Sequence, residues 1–156
     1  MHFAYKLQPI LMPMKYITVI TLLLSAFSLN AQHNPDAILG KWESAEKNLI
    51  VEVYKQDDNF QARIVWFSNP ENMLPETDIK NPNEELRSRK IVGMDVLSGL
   101  KYNARQNRWT DGKIYDCTSG RTWDATVWLI SPNDLKVRGY YLVRWLGKTM
   151  MFTRVK

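Results

Sequence analysis

The chain has 156 residues, a formal net charge of +5, 45% hydrophobic residues and one cysteine. This length fits a single domain, and one cysteine excludes an internal disulfide framework, so the fold must rest on an apolar core. The excess positive charge is small and spread along the chain. Nucleic-acid-binding proteins usually concentrate such charge on one face, so we expect no nucleic-acid partner.

The first 31 residues predict an export signal. Lys15 precedes an uncharged apolar run, residues 16–29, and Ala31 offers a small residue for cleavage after it. A spanning helix needs about 20 apolar residues, so we expect cleavage rather than a transmembrane segment in the mature protein. Met1 and Met14 both fit as the start. The expected product is exported, either periplasmic or secreted, and removal of two lysines and no acid lowers its charge to +3.

The remaining chain divides into a polar tail, residues 32–37, and one β-rich domain, residues 38–156. The domain consists of short runs that are rich in β-branched and aromatic residues and alternate with period 2. The predicted strands are 41–42, 49–54, 60–67, 91–97, 108–109, 113–116, 121–130, 134–142 and 148–155. Turn signals separate several of them, at 111–112, 119–120 and 131–134. About eight short strands at this spacing predict an all-β sandwich or barrel.

Alternation also assigns faces to the strands. Phe60, Ala62, Ile64 and Trp66 fall on one face, which we expect to point inward. Trp123 has the inward phase of its strand, whereas Trp128 has the outward phase.

One connection, residues 68–90, lacks a strand pattern and is longer than most loops in compact domains. Within it, Asn81 followed by Pro82 and Glu84 is typical of a helix start. We therefore predict a short helix over residues 82–88, with Leu86 docked against one end of the β-structure.

Two features resemble the calycin superfamily, which includes the lipocalins. Gly40 and Trp42 form a Gly-x-Trp motif in the first strand, and Arg154 lies in the last. In that superfamily the tryptophan lies at the closed end of the barrel and a basic side chain packs over it. The resemblance implies that these three residues close the barrel, and a guanidinium on an indole face is a favourable contact.

Further motifs resemble a family of exported bacterial domains of unknown function with a lipocalin-like barrel. They are residues 78–82, 86–89, 91–93, 112–116, 119–120, 135–140 and 153–155. The resemblance covers residues 40–155 and implies a small antiparallel up-and-down β-barrel of about eight strands with one short helix in a long loop. It implies no reaction. Cys117 is a departure, because the family pattern has proline there.

The histidines limit the chemistry that the domain can perform. His2 belongs to the predicted signal and His33 to the predicted tail, so the folded body has none. A Ser-His-Asp triad, a Cys-His pair and a usual zinc site therefore lack their ligands or bases. We predict no catalytic residues, no metal and no cofactor.

The sequence predicts instead a binding protein for a small apolar or amphipathic molecule. An eight-stranded barrel holds either side chains alone or one small ligand. The candidate ligand-binding residues are Trp66, Asp78, Asn81, Arg87, Arg89, Tyr115, Asp116 and Trp123. In this set Arg87 and Arg89 are candidates for a carboxylate or phosphate head group. Internal ion pairs that fix the long loop are the alternative role of these arginines.

Two other functions remain open from the residues. An envelope interaction module without a small ligand would use an exposed aromatic residue such as Trp128 or Trp145. An enzyme would rely on Asp116, Tyr115 and Lys113. Cys117 is expected to be a small buried residue, and a bond between two chains is the alternative. The sequence leaves the oligomeric state open.

Overall fold

The computed structural model describes residues 34–68, 76–141 and 147–156. The eight strands are β1 (Gly40–Ser44), β2 (Leu49–Gln56), β3 (Asn59–Phe67), β4 (Asp95–Asn103), β5 (Arg108–Asp116), β6 (Arg121–Ser131), β7 (Asp134–Tyr140) and β8 (Gly147–Arg154). Two short 3-10 helices, Pro35–Ile38 and Glu84–Leu86, accompany them. The predicted signal segment and its cleavage point, together with His33 and Trp145, lie outside the described residues.

Each strand pairs antiparallel with the next one along the chain, and β8 pairs with β1. The sheet is therefore a closed barrel, and the predicted eight-stranded up-and-down architecture is confirmed. Because the barrel is closed, none of the eight described strands has an unpaired edge that could template association with another chain.

The core fills the lumen of the barrel. Residues that pair directly across two antiparallel strands share a face of the sheet. The pairs Val51 with Ile64 and Val127 with Val137 are buried, which identifies that face as the lumen. The predicted inward phase of Trp123 in β6 agrees with this register.

Bulges make β4 and β5 differ from the prediction. The strand predicted at residues 91–97 is β4, which begins at Asp95 and continues through Gly99 to Asn103. The two runs predicted at 108–109 and 113–116 form the single strand β5. Asp111 adopts a positive φ of 65° where the register with β6 shifts, so residues 111–112 form a bulge instead of the predicted turn.

A further irregularity reverses the predicted face of Trp66. The register between β2 and β3 shifts between Ile50 and Val51, and beyond this point Trp66 pairs with Ile50. Trp66 consequently lies outside the barrel and is 44% exposed, while Phe67 packs against the core in its place. The inward assignment of Trp66 was wrong because one extra residue inverts the alternation.

The predicted helix is also shorter than expected. It is a 3-10 turn, Glu84–Leu86, whose N-cap is Asn83 rather than Asn81. Leu86 is 38% exposed and therefore does not dock as predicted. Part of the predicted tail is ordered instead, since the 3-10 helix Pro35–Ile38 contains its last residues.

Candidate functional site at the open end of the barrel

The two ends of the barrel are built differently. We call the end from which the chain leaves β1, β3, β5 and β7 the open end, and the opposite end the closed end. At the closed end, the 3-10 helix Pro35–Ile38 lies against the barrel. The indole N–H of Trp42 donates to the Ile38 carbonyl at 2.8 Å, and that of Trp109 donates to the Pro35 carbonyl at 3.1 Å. Both indoles are buried, and these bonds satisfy their donors.

Arg154 completes the closed end. Its guanidinium lies 4.1 Å from the centroid of the Trp42 ring. It also donates to the carbonyls of Ala37 at 2.6 Å and Leu39 at 2.8 Å. Gly40 has a φ of 115°, and a Cβ there would lie 3.2 Å from Arg154 Nη1. The three residues that the calycin resemblance places at the closed end thus lie together there.

At the open end, a set of apolar side chains on the lumen face is only partly buried. We call them the mouth residues: Leu49, Phe67, Ile114, Trp123 and Met150. They share the lumen face because Leu49 pairs with Phe67, Ile114 with Trp123, and Met150 with the buried Val137.

The centre of the closed end is much less exposed than the mouth. Trp42, Phe60, Trp109 and Leu135 are at most 2% exposed. At its margin Leu39, Tyr102 and Leu129 are partly exposed, as the mouth residues are. Partly exposed apolar side chains on the lumen face at one end of a barrel are a candidate setting for a small-molecule site.

An aromatic pair extends the apolar surface at the mouth. The rings of Trp123 and Tyr141 meet edge to face, with centroids 6.2 Å apart. Tyr141 is 58% exposed at the end of β7. Of the predicted ligand-binding residues, the structure places Trp123 and Asp116 on the lumen face at this end, and Trp123 is the aromatic one.

Four of the predicted residues instead bind one another. We call Asp78, Asn81, Arg89 and Tyr115 the Asp78 cluster. Asp78 is fully buried, and its carboxylate accepts bonds from Tyr115 Oη at 2.6 Å, Asn81 Nδ2 at 2.7 Å and Arg89 Nε at 2.9 Å. Arg89 Nη2 contacts the same carboxylate at 2.9 Å. The ring of Tyr115 is also 5.7 Å from the Arg89 guanidinium.

The Asp78 cluster attaches the long connection to the barrel wall, because Asp78 and Arg89 lie in that connection and Tyr115 lies in β5. Burial and the hydrogen bond to Asp78 raise the pKa of Tyr115 to about 12. The phenol is therefore neutral and donates to Asp78 at ordinary pH. Because Asn81, Arg89 and Tyr115 all donate to Asp78, this cluster matches the alternative of loop-fixing ion pairs better than a ligand site.

Arg87 and Asp116 have local roles in the structure. Arg87 donates to the Asn81 carbonyl at 2.9 Å and to Glu84 at 3.0 Å. Asp116 accepts bonds from Thr118 and Ser119 in the turn after β5. Burial raises the pKa of Asp116, but these hydrogen bonds outweigh it and lower the pKa below its usual value.

The groups considered for an enzyme or an interaction module are also placed. Lys113 is paired with Asp124 on the outer face. Asp78 is enclosed with an arginine partner, so Asp78 and Asp116 do not form a carboxylate pair in an open cleft. The Trp128 ring is partly buried under the Lys136 ammonium, 5.1 Å from its centroid. Trp66 is therefore the more exposed of these two tryptophans on the outer face.

A separate depression of about 470 Å³ lies beside the turn between β4 and β5, and it is open to solvent. Its lining consists of Lys101, Tyr102, Asn103, Ala104, Arg105, Thr110 and Asp111. The buried polar side chain in this lining is Thr110, which already donates to Asp111. The depression lacks the converging apolar surface of the mouth and is the weaker candidate.

Within the described ranges, no three His, Cys, Asp or Glu side chains converge in a way that would hold a metal ion. In the same part of the chain, no helix combines the length and apolar character needed to cross a membrane.

Comparison with known proteins places the chain in a family. Residues 40–154 match the model of a family described as "Uncharacterized protein conserved in bacteria (DUF2147)". The chain belongs to this bacterial family. The predicted resemblance is thereby confirmed, and the matched region runs from Gly40 to Arg154, the residues that meet at the closed end.

A solved structure supports the same fold. Protein HP1028 from the human pathogen Helicobacter pylori, described as belonging to the lipocalin family, is 25% identical to this DUF2147 member with a TM-score of 0.65. The similarity covers 76% of this chain and 83% of that chain. No curated protein matches the sequence.

Sequence reasoning missed most of the mouth residues. Leu49, Phe67, Ile114 and Met150 read as ordinary core positions, because alternation gives the face of a residue but not its distance from the barrel end. A usable signal was present in β8, where Lys148, Met150, Phe152 and Arg154 alternate with period 2 on the face that carries the predicted closure residue.

Proposed function

We propose that this protein is an exported binding protein that holds a small apolar or amphipathic molecule at the open end of its barrel. The observation that carries the proposal is the contrast along the lumen. The closed end has a fully buried centre, whereas the mouth residues present apolar surface to solvent within a lipocalin-like barrel. Export rests on the signal pattern of residues 1–31.

The depth of the site limits the size of the ligand. Ala125 is fully buried, and β6 rises at most about 13 Å from there to its first residue, Arg121, at about 3.3 Å per residue. At this level the lumen is packed, since Gly112 pairs with Ala125 and a Cβ on Gly112 would lie 2.7 Å from Leu100 Cγ. We therefore expect a short ligand, such as a ring system or a short chain, rather than a long lipid.

The test uses N-phenyl-1-naphthylamine, a neutral apolar dye whose fluorescence rises in apolar surroundings. We expect saturable binding of one dye per chain. Trp123→Ala should weaken it about fivefold or more, since burying an aromatic side chain against a ligand contributes on the order of 1–3 kcal/mol.

Trp66→Ala provides the matched control, because Trp66 is the exposed indole on the outer face. It should leave dye affinity unchanged. Binding that does not saturate, or that both variants weaken equally, would count against a site at the mouth. Native mass spectrometry of the full protein, isolated without detergent, then gives the mass of any natural ligand.

A further inference from the structure

We propose that the open end selects ligands with an anionic head group, and that Lys148 is the residue that recognises it. The inference rests on the proposed binding function and adds to it a ligand class and a recognising residue.

Lys148 lies at the open-end terminus of β8. The lumen face of this strand carries Lys148, Met150, Phe152 and Arg154, since Met150 and Phe152 pair with the buried Val137 and Leu135. The two cations are thus the outermost residues of one apolar row. Arg154 is fully engaged by the closed end, whereas Lys148 is exposed and has no hydrogen-bond or ion-pair partner among the described residues.

On β7 the position beside Lys148 carries no side chain. The partner of Lys148 across the strands is Gly139, and Gly139 pairs in turn with the buried Ala125. No long side chain on β7 therefore separates the ammonium from the mouth. Met150 lies two residues below it on the same face, which places apolar surface next to the charge.

The mouth carries a net positive charge. On the lumen face of the open end, the described strands carry three charged residues, namely Asp116, Arg121 and Lys148. Asp116 lies opposite Arg121 in the register of β5 and β6, and its carboxylate is held by the turn. One carboxylate against two cations leaves a single positive charge, and Lys148 is the cation that does not lie opposite a carboxylate.

The two arginines predicted for this role are occupied. Arg89 binds Asp78, and Arg87 binds the Asn81 carbonyl and Glu84. Of Lys148, Arg87 and Arg89, Lys148 is therefore the cation that is available to an anionic head group. A carboxylate, phosphate or sulfonate at the rim, with its apolar part against Trp123 and Met150, satisfies both features of the mouth.

The test compares two dyes with the same ring system. N-phenyl-1-naphthylamine is neutral, and 8-anilino-1-naphthalenesulfonate carries a sulfonate. We expect the wild-type protein to bind the sulfonate more tightly, and Lys148→Gln to weaken sulfonate binding about threefold to fivefold, as for a solvent-exposed ion pair. Binding of the neutral dye should change by less than about twofold, and added salt should weaken only the sulfonate.

Two variants complete the experiment. Lys148→Arg keeps the charge and should restore sulfonate binding. Lys41→Gln removes an equally exposed lysine on the outer face of β1 and should change neither dye.

The outcomes separate the two proposals. If the neutral dye binds but the sulfonate gains nothing from Lys148, the head-group inference is overturned and the binding function stands. Equal weakening of both dyes by Lys148→Gln overturns the inference as well, since the lysine would then act on shape alone. If neither dye binds, the binding function fails, and the inference that rests on it fails too.

Discussion

The two ends of this barrel are made of the same strands but have different environments. At the closed end, Trp42 is buried and hydrogen-bonded, and Arg154 covers it. At the open end, Trp123 occupies a comparable position in the lumen wall, but its ring packs edge to face with Tyr141 and stays partly exposed. The difference arises from what covers each end rather than from the strands.

The covering element at the closed end is short. The 3-10 helix Pro35–Ile38 provides carbonyl acceptors for both buried indoles, and the residues that follow it accept from Arg154. The four residues of this 3-10 helix lie outside the barrel and thus close the lumen at that end. At the open end the long connection lies against the turn after β5, and the apolar row that it leaves partly exposed becomes a candidate binding site.

The strongest prediction compares the two tryptophans. Trp42→Ala should destabilise the protein by about 3–5 kcal/mol, because it leaves a large cavity and removes the contacts of Arg154. Trp123→Ala should cost about 1 kcal/mol or less, since its ring is partly exposed. Urea unfolding followed by circular dichroism measures both.

Trp42→Phe is the milder variant if Trp42→Ala does not fold. It keeps an aromatic surface for Arg154 and loses the hydrogen bond to Ile38. We therefore expect the free energy of unfolding to fall by about 1–2 kcal/mol. Equal losses at Trp42 and Trp123 would contradict the distinction between the two ends.

A second prediction concerns the part of the open end that the long connection covers. A Cβ on Gly120 would lie 1.9 Å from the backbone oxygen of Lys80, and Gly120 has a φ of 70°. Gly120→Ala should therefore cost about 3 kcal/mol from strain and overpacking together. The readout is again the free energy of unfolding in urea.

Gly93 is the matched glycine. Its φ of 91° is also positive, but a Cβ there would meet nothing within 4 Å. Gly93→Ala should thus lower the free energy of unfolding by about 1 kcal/mol, the cost of the backbone conformation alone. If Gly120→Ala and Gly93→Ala lower the free energy of unfolding equally, the turn after β5 and the connection at Lys80 are not in firm contact.

The third prediction tests the Asp78 cluster. Asp78→Asn keeps the size of the side chain but removes the charge that Arg89 meets, and should cost about 2 kcal/mol because the site is buried. Glu52→Gln removes an ion pair with Arg63 on the outer surface and should cost less than about 0.5 kcal/mol. Thermal unfolding of both variants distinguishes them. A small effect at Asp78 would mean that the connection is held mainly by its apolar residues.

Much of the barrel was readable from the sequence, because alternation and turn residues act locally. The strands β2, β3, β6, β7 and β8 were predicted within a few residues of their bounds. The errors lie at β4, β5 and Trp66, where bulges insert a residue into the alternation. A bulge depends on the register with a neighbouring strand, which one strand's pattern does not contain.

The candidate site was less predictable for a similar reason. The sequence pointed to Asp78, Asn81, Arg89 and Tyr115, and the structure does bring them together. Whether Arg89 meets a ligand or Asp78 depends on contacts across the fold that a motif does not specify. Lys148 went unnoticed because a single lysine near a strand end usually faces solvent with no further role.

The smallest effect is expected at Cys117, which lies at the turn after β5 and is largely buried. Burial raises the pKa of its thiol above the usual value, and the nearby Asp116 and Asp78 carboxylates add to the rise. The reactive thiolate is therefore scarce, and alkylation by iodoacetamide at pH 8 should be much slower in the folded protein than in urea. Asp78→Asn should speed it, whereas Trp123→Ala should not, because only the first variant loosens the covered side of the open end.

The sign of the pH dependence at Cys117 follows from the same shift. A folded-state pKa above the unfolded value of about 8.5 means that the thiol's contribution to stability is complete below that pH and is lost as the pH rises through the folded pKa. In urea titrations between pH 7 and pH 10, Cys117→Ser should make the free energy of unfolding depend less on pH. Fast alkylation of the folded protein would instead show an accessible thiol, and would favour the alternative in which Cys117 joins two chains.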